Sequence, residues 1–556
     1  MCGIFGIQYN SKNHSVDEIN LRAKKMQSAA KYRGPDAQGF LHVDSTITGM
    51  TRLSIFDNST YPIPLKSAQS ILAFNGEIYD FNTNIQLDFT RSDTGALLQY
   101  LDMAQEIEQL NGMFGFARYD LQDRKLLLAR DRSGEKPIYY YERPGLFLYG
   151  SDIKIILAGL VESEYPQLVN VEDVDFLEIN CFEDTPFQGI KMVMPGTQLT
   201  VYKASVIENR SYTTAKTLEW QSVKDYEDEA DFLLKDSVKM RTKNCIGTFG
   251  SFLSGGLDSS LITALSNPNF AVLGEYDVDG FSEGENVIKF ASELGTPLHV
   301  VKPTKQDFER IFPKLPFLLD TPATWTAFNQ FMVFEKVNEL NCRVCMSGEG
   351  ADELFGGYAR YRLPFHLNRI YKDPVLNTSY HPMINGAFGS VKDLYIKLTN
   401  RSKIPIDRSS QISKFYSKVF SENQNLINAM GIIDFYTTMQ VLLQMPDRVG
   451  LYHRVENRAP FLDPRLIAFS RSLPENYKIN DDCSKVLMRK IAKRIIPKYE
   501  SEVFKKGFGV PYNHWYGKGG YSRYSFNSEY KKIWKRDFST YKGFTKRMNE
   551  FYNELV

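Results

Sequence analysis

The chain is poor in cysteine, in net charge and in long apolar runs, and each shortage excludes a class of protein. Its 556 residues include six cysteines, which are too few and too scattered for a disulfide framework and are typical of a reducing compartment. Lys and Arg total 67 against 66 Asp and Glu, so the net charge of +1 excludes the strong positive field of nucleic-acid-coating or polybasic membrane proteins. We expect small molecules or other proteins as partners, with no nucleic acid and no membrane.

The amino terminus, MCGIFGIQYNSKNHS, has no basic segment followed by an apolar one, and no run approaches about 18 apolar residues. The sequence therefore predicts neither secretion nor a membrane span, and we expect a cytoplasmic location. Cys342 and Cys345, in CRVC, have the spacing of a redox or zinc motif. No second such pair lies nearby, and an apolar strand is predicted to pass through them, so we predict core thiols.

Two sequence patterns divide the chain, and its length alone predicts two domains. Up to about residue 205, short β-type segments alternate with turns, and one helix is predicted at VDEINLRAKKMQSAA. Beyond residue 220, strands and helices alternate as in a parallel, doubly wound sheet, and from about Gly357 the pattern is mostly helical. We predict an α/β protein with domains over residues 2–205 and 220–556.

The stretch LSGGLDSS, residues 253–260, lies between a predicted strand and a predicted helix. Its glycines let backbone N–H groups approach an anion, and the helix start adds partial positive charge, so phosphate is the expected ligand. The hydroxyls of Ser254, Ser259 and Ser260 add donors, and Asp258 could hold Mg²⁺ against the phosphate. No lysine follows as it does in GxxxxGK[ST], which favours cleavage of ATP between its α and β phosphates, with pyrophosphate leaving.

SGGxDS resembles the motif of the ATP pyrophosphatase, or PP-loop, family. A second glycine-rich stretch, SGEGADELFGGY at 347–358, follows a later strand of the predicted sheet. Open parallel sheets bind ligands at the carboxyl ends of their strands, so both loops are expected to face one crevice. Glu349, Asp352 and Glu353 fit the surroundings of a metal and a reacting carboxyl group.

Cys2 follows the initiator methionine directly. Removal of Met1 would give Cys2 both a thiolate nucleophile and a free α-amine, which together form a self-contained catalytic unit. Across the first 150 residues the motifs MCGIFG, YRGPDAQG, RLSIFD, NGEIYD, RSDT, NGMFGFA and ARDRSGEKPIYY follow in order.

Together these motifs resemble the class II glutamine amidotransferase domain, an N-terminal-nucleophile hydrolase with an αββα sandwich. With SGGLDSS, SGEGADELFGGY and ENRAPFLD behind it, essentially the whole chain resembles the glutamine-hydrolysing asparagine synthetase family. The resemblance implies a PP-loop synthetase domain with a parallel sheet and a largely helical carboxy-terminal part.

For the first domain, the resemblance implies that Cys2 attacks the glutamine carboxamide while its α-amine relays the proton. Asn75 and Gly76 would form the oxyanion hole, and Glu77 would join them in binding glutamine. Arg52 would pair with the α-carboxylate of glutamine and Asp93 with its α-ammonium.

For the second domain, the resemblance implies ATP and Mg²⁺ as cofactors. The implied ATP-binding residues are Leu253, Ser254, Gly255, Gly256, Asp258, Ser259, Leu273, Ser347 and Gly348, with Asp258 and Asp352 as metal ligands. Glu349 would act in acyl-adenylate chemistry and ammonia capture, and Lys505, preferred to its neighbour Lys506, would stabilise charge during adenylation. Arg458, in ENRAP, would meet a substrate carboxylate or form a structural salt bridge.

Four residues depart from the family pattern: Tyr32 and Met50 replace histidines, Asp80 an asparagine and Gly95 a glutamate. The stretch between the motifs of Asn75 and Asp93 is also shorter than usual. None of these changes removes a proposed catalytic atom. They predict a divergent member, and they affect the inference about the second substrate more than the inference about glutamine.

Three hypotheses follow. The first is amidation of aspartate by glutamine and ATP through an acyl-adenylate, giving asparagine, glutamate, AMP and pyrophosphate, with ammonia carried through a sealed passage. The second keeps this chemistry on another carboxylate, such as a uronic acid or a precursor of a natural product or polysaccharide. The third is a non-catalytic relative of the fold, which two apparently intact reaction centres disfavour. The sequence leaves the oligomeric state open, with a homodimer as one alternative.

Overall fold

The structure is a computed structural model that describes residues 2–55, 61–79, 92–178, 180–212, 225–243, 245, 247–278, 284–321, 326–372, 390–401, 407, 409–496, 510–516 and 523–555. Its strands are β1 Cys2–Tyr9, β2 Ala37–Val43, β3 Thr46–Arg52, β4 Leu65–Lys66, β5 Ser70–Ile78, β6 Gly112–Asp120, β7 Leu126–Arg130, β8 Tyr139–Arg143, β9 Leu146–Gly150, β10 Ile190–Met192, β11 Thr197–Tyr202, β12 Ser205–Ser211, β13 Gly250–Phe252, β14 Phe270–Gly274, β15 Leu298–Val301, β16 Val344–Met346 and β17 Glu456–Arg458. Its α-helices are Val16–Ala30, Asp93–Asp102, Ile153–Gly159, Glu172–Leu177, Asp225–Thr242, Leu257–Ser266, Gly284–Leu294, Lys305–Ile311, Leu315–Leu319, Thr326–Glu339, Ala351–Phe355, Arg362–Lys372, Val391–Thr399, Gln411–Glu422, Leu426–Tyr436, Thr438–Tyr452, Pro464–Ser472, Glu475–Lys478, Val486–Ile495, Tyr512–Tyr516, Arg523–Phe538 and Tyr541–Leu555.

The first half of the chain forms two stacked antiparallel sheets, ordered β10-β8-β9-β1-β3-β2 and β12-β11-β7-β6-β5-β4. Side chains alternate along each strand, so one face of β1 packs between the sheets through Ile4, and the other packs through Phe5 against the helix Val16–Ala30. The helix Asp93–Asp102 covers the outer face of the second sheet in the same way. The resulting four layers confirm the predicted αββα sandwich.

The helix Val16–Ala30 has the bounds that its sequence pattern predicts. Ser15 caps its amino end by accepting a hydrogen bond from the Glu18 amide. Ile19, Ala23 and Met26 recur at helical spacing and are fully buried.

The second half contains a five-stranded sheet ordered β15-β14-β13-β16-β17, with parallel pairing throughout. Because β13 and β16 are neighbours, the loops that follow them, starting at Leu253 and Ser347, lie side by side at one edge of the sheet. This confirms the predicted crevice and the predicted mostly helical region beyond it. The sequence did not predict β17, the short edge strand beside β16.

Buried ion pairs join the two halves. Arg33 Nη2 lies 2.8 Å from Asp447 Oδ2, and Lys154 Nζ lies 2.8 Å from Asp320 Oδ1, with all four side chains almost fully buried. Asp447 lies on the helix Thr438–Tyr452, so a helix of the second half is held against the sandwich. The division into domains at 205–220 stays a prediction.

Residues Leu426–Tyr452 are long and apolar enough to cross a membrane by length and composition. Polar residues such as Asp434 and Gln440 interrupt this range, so it is no continuous apolar run, and two helices share it. Its most apolar window is 72% buried inside the protein, as in the core helix of a folded domain. Cys342 and Cys345 are also buried, which confirms them as core thiols.

Candidate active sites

Cys2 begins β1 and lies opposite Arg52 of β3. Its backbone nitrogen, an amide nitrogen while Met1 is attached, donates a hydrogen bond of 3.0 Å to Asn75 Oδ1. Burial raises the pKa of the Cys2 thiol, and the nearby carboxylate of Asp93 adds to the rise. The positive amino terminus, the backbone N–H of Leu53 and the guanidinium of Arg52 oppose it. The predicted nucleophile therefore lies near one carboxylate, one guanidinium and a backbone donor.

Asn75 and Gly76 lie on β5, and Asn75 contacts Cys2 of β1. Asn75 Nδ2 is buried and makes no hydrogen bond with the described residues, so a donor is left available near the thiol. Gly76 has φ +147°, and a Cβ there would lie 2.0 Å from the Met113 carbonyl oxygen, so only glycine fits. An unpaired donor beside a nucleophile is what an oxyanion hole requires.

Asp93 begins the helix Asp93–Asp102, behind the cap Ser92. Its Oδ1 accepts a hydrogen bond of 2.7 Å from the Thr94 amide, whereas Oδ2 is buried and has no hydrogen-bond partner in the described part of the chain. Burial raises the pKa of Asp93 to about 6. The Arg52 guanidinium lies 4.3 Å from the centre of the Tyr61 ring. Tyr61, which the sequence motifs did not indicate, therefore lies next to Arg52.

Glu77, which is predicted to bind glutamine, also contacts the second half of the protein. Its Oε2 lies 3.4 Å from Arg458 Nη2, and Arg458 Nε donates a hydrogen bond of 2.6 Å to Glu456 Oε1. Of the two alternatives for Arg458, the structure therefore shows a buried salt bridge. Burial and the carboxylate of Asp93 raise the pKa of Glu77 well above its usual range, in spite of the guanidinium of Arg458.

A cavity of about 330 Å³ opens at the carboxyl edge of the parallel sheet. Its lining includes most of the predicted nucleotide and metal residues, namely Leu253, Ser254, Gly256, Asp258, Ser259, Leu273, Ser347, Gly348 and Asp352, together with the predicted catalytic residue Glu349. Gly255, which is not part of this lining, has φ +79° in the same loop. A Cβ on Gly348 would lie 2.9 Å from the Ser259 amide, so the two loops approach closely only because this residue is glycine.

Lys485 joins the two predicted metal ligands. Its ammonium lies 2.6 Å from Asp258 Oδ2 and 2.5 Å from Asp352 Oδ1, and all three side chains are largely buried. No motif indicated Lys485, which starts the helix Val486–Ile495 far along the chain. Asp258 Oδ1 is buried without a hydrogen-bond partner in the described ranges.

Glu349 lies in the cavity between two donors. Ser347 Oγ donates to its Oε2 at 3.0 Å and Asn457 Nδ2 donates to the same atom at 2.6 Å. Burial raises the pKa of Glu349 to about 7, although these hydrogen bonds and the charge of Lys136 lower it. Glu135 of the sandwich is close enough to Glu349 for their charges to interact. Burial and the carboxylate of Asp131 raise the pKa of Glu135 to about 8.

Three residues singled out from the sequence, Asp80, Lys505 and Lys506, lie outside the described residues. Tyr32 donates a hydrogen bond to Asp152, and Gly95 donates its amide to the cap Ser92 at 3.3 Å. The Tyr32 contact involves the departing side chain itself, whereas the Gly95 contact is a backbone one and does not explain the glycine.

Two family descriptions match the chain. The glutamine amidotransferase domain matches residues 1–213, and asparagine synthase matches residues 229–528. A similar curated protein is asparagine synthetase [glutamine-hydrolyzing] 1 of Bacillus subtilis, 29% identical over 93% of this chain and 88% of that protein. A putative asparagine synthetase [glutamine-hydrolyzing] of Mycobacterium bovis is 28% identical over 88% of this chain and 84% of its own length. Among solved structures, glutamine phosphoribosylpyrophosphate amidotransferase of B. subtilis matches with 13% identity and a TM-score of 0.26, over 56% of this chain and 70% of that one.

Proposed function

The chain belongs to the asparagine synthase family, whose glutamine-hydrolysing members amidate with glutamine and ATP, and from this premise we propose that it amidates aspartate through an acyl-adenylate. The products would be asparagine, glutamate, AMP and pyrophosphate. The observation that supports the proposal is a set of three contacts, carried by β5 and β17, that lie between the two centres. Asn75 bonds Cys2, Glu77 pairs with Arg458, and Asn457, next to Arg458, bonds Glu349.

Glutamine is hydrolysed at Cys2. Once Met1 is removed, the nitrogen that now donates to Asn75 becomes an α-amine that takes the thiol proton. Thiolate attack on the carboxamide places negative charge on its oxygen, which Asn75 Nδ2 and the backbone at Gly76 stabilise. Asp93 Oδ2 receives the α-ammonium of glutamine, and Arg52 receives its α-carboxylate.

The acceptor carboxylate is adenylated in the cavity of the second half. Backbone N–H groups of the loop 253–256 and the start of the helix Leu257–Ser266 bind the phosphates. The carboxylate oxygen attacks the α-phosphorus, and pyrophosphate leaves. Lys485, fixed between Asp258 and Asp352, supplies positive charge next to the departing phosphates. Lys505 would add to this charge.

Asp258 and Asp352 fit Mg²⁺. This ion commonly binds one or two carboxylates together with substrate phosphates, and Asp258 Oδ1 is an unpaired acceptor at the right place. When bound, Mg²⁺ would neutralise phosphate charge. Within the described ranges, no cluster of three or more His, Cys, Asp or Glu residues forms a self-sufficient metal site, which agrees with an ion completed by substrate.

The test is incubation of the protein with ATP, glutamine and aspartate. We expect asparagine, glutamate, AMP and pyrophosphate in equal amounts. Cys2→Ala should lose the reaction with glutamine and keep it with ammonium. Pyrophosphate that forms only with another carboxylic acid would contradict aspartate as the acceptor.

One observation favours the alternative acceptor. The described residues that line the cavity include the acids Asp258, Glu275, Glu349, Asp352 and Glu353, whereas none of them is Lys or Arg. A second carboxylate, as in aspartate, would find no basic partner among them. A uronic acid carries a single carboxylate and needs no second basic partner, so glucuronate is the matched substrate to set against aspartate.

A further inference from the structure

Asn457 lines the acceptor cavity and is next in sequence to Arg458, which contacts the amino-terminal sandwich. It is 7% exposed, lines the cavity and occupies the middle of β17. Its Nδ2 donates to Glu349 Oε2 at 2.6 Å, which fixes the orientation of the amide because a carboxylate oxygen accepts. Asn457 Oδ1 is then left buried, with no hydrogen-bond partner in the part of the chain that the structure describes.

A buried acceptor without a donor costs free energy, so Asn457 Oδ1 calls for an explanation. The next residue along the strand, Arg458, pairs with Glu77. Glu77 is two residues from Asn75, which bonds the backbone of Cys2. Asn457 therefore lies on the cavity side of the contacts that Asn75 and Glu77 make with Cys2 and Arg458.

We propose that Asn457 is the ammonia-binding residue of the acceptor cavity, with Oδ1 accepting one N–H of the ammonia that arrives from Cys2. This inference rests on the proposed function. Two acceptors, Asn457 Oδ1 and the Glu349 carboxylate, hold two N–H bonds and direct the nitrogen lone pair at the acyl carbon. Neither acceptor alone fixes that direction.

The nitrogen lone pair forms the new C–N bond, and the bond between the acyl carbon and the AMP oxygen breaks, with its electron pair leaving on AMP. The attacking nitrogen passes one proton to the Glu349 carboxylate, which lies within reach of the same ammonia. The amide product then has no positive charge and leaves the acceptors.

The test compares Asn457→Ala with a matched control, Asn111→Ala. Asn111 is also a buried amide at the boundary of the two halves: its Nδ2 donates to Asp463 at 3.1 Å and its Oδ1 is unpaired among the described residues, but it does not contact Glu349. Three rates are measured: acceptor-dependent ATP–pyrophosphate exchange, amide formation with ammonium chloride, and glutamine hydrolysis. Exchange is first measured on the wild-type protein with aspartate and with glucuronate, and the acid that supports it is used throughout.

We expect Asn457→Ala to raise the KM for ammonia by about tenfold, the cost of one buried hydrogen bond, and to leave exchange and glutamine hydrolysis within about twofold. Glutamate should then exceed amide in the glutamine reaction, and Asn111→Ala should match the wild type. The KM defect should persist at pH 9, where Glu349 is ionised. A defect that vanishes there, or exchange that falls together with amide formation, would mean that Asn457 only holds Glu349 and would overturn the proposal. Wild-type protein without exchange on either acid would instead overturn the proposed function itself, and this inference with it.

Discussion

Glu77 of the amino-terminal sandwich and Arg458 of the parallel-sheet half face each other across 3.4 Å, and both are buried. Each belongs to a different centre: Glu77 follows Asn75 and Gly76 on β5, and Arg458 follows Asn457 on β17. Arg458 Nε also lies 2.6 Å from Glu456 Oε1, so the Arg458 guanidinium interacts with two carboxylates. This pair lies between the proposed glutamine site and the proposed acceptor cavity, and four predictions test these proposals.

Glu77→Gln should uncouple the two reactions. The amide keeps the shape of Glu77 but cannot ionise, so Arg458 is held by Glu456 alone and the contact between the halves weakens. We expect glutamine hydrolysis to continue, the yield of amide per glutamate to fall, and the free energy of unfolding to drop by about 1–3 kcal/mol. Glu108→Gln, which removes an exposed ion pair with Arg210, is the control and should change neither quantity. An unchanged ratio of amide to glutamate in Glu77→Gln would contradict the linking role.

Asn75→Ala should act on the glutamine reaction alone. It removes the unpaired Nδ2 donor as well as the acceptor for the Cys2 nitrogen. We expect kcat for glutamine hydrolysis to fall by about 10² to 10³, the usual cost of one oxyanion donor. Amide formation from ammonium is the internal control and should stay near the wild-type rate. A smaller loss than tenfold in hydrolysis would argue against Asn75 as the donor.

Glutamine binding should depend on pH through Asp93. Burial raises the pKa of Asp93 to about 6, so below that pH the carboxyl is neutral and no longer pairs with the α-ammonium of glutamine. We expect the KM for glutamine to fall as pH rises through about 6 and then to level off. The profile of Asp93→Asn should be flat and its KM high at every pH. A wild-type profile with no change in KM between pH 5 and 8 would exclude this role for Asp93.

Lys485→Met should make stability depend on Mg²⁺. It leaves Asp258 and Asp352 as two buried carboxylates without their shared cation, which destabilises the fold. We expect the Tm to fall, and Mg²⁺ to recover part of the loss because it supplies the missing positive charge. The control is Lys478→Met, a buried lysine bonded to Asn428, whose Tm should not respond to Mg²⁺. An equal response of both variants would argue against a metal site at the two aspartates.

The sequence predicted those parts of the molecule that local chemistry determines. The helix Val16–Ala30 has the predicted bounds because its apolar period lies within its own residues and its cap, Ser15, directly precedes them. The crevice between the loops at Leu253 and Ser347 followed from a general rule about parallel sheets.

Contacts between distant parts of the chain could not be predicted in this way. Lys485 reaches Asp258 across 227 residues of sequence, and nothing in its own neighbourhood indicates an ion pair. The contact between Glu77 and Arg458 was not predicted either, because it joins two motifs 381 positions apart in the sequence. β17 is three residues long, too short to show a strand period, although it carries both Asn457 and Arg458.

The central claim is that nitrogen released at Cys2 reaches the acceptor cavity inside the protein. The direct measurement uses glutamine labelled with ¹⁵N in its amide, in the presence of a large excess of unlabelled ammonium, with ATP and the acceptor acid. We predict that the amide product carries ¹⁵N far above its share of the total ammonia, and that Cys2→Ala yields only unlabelled product. Product that matches the isotope content of the bulk ammonium would contradict the account.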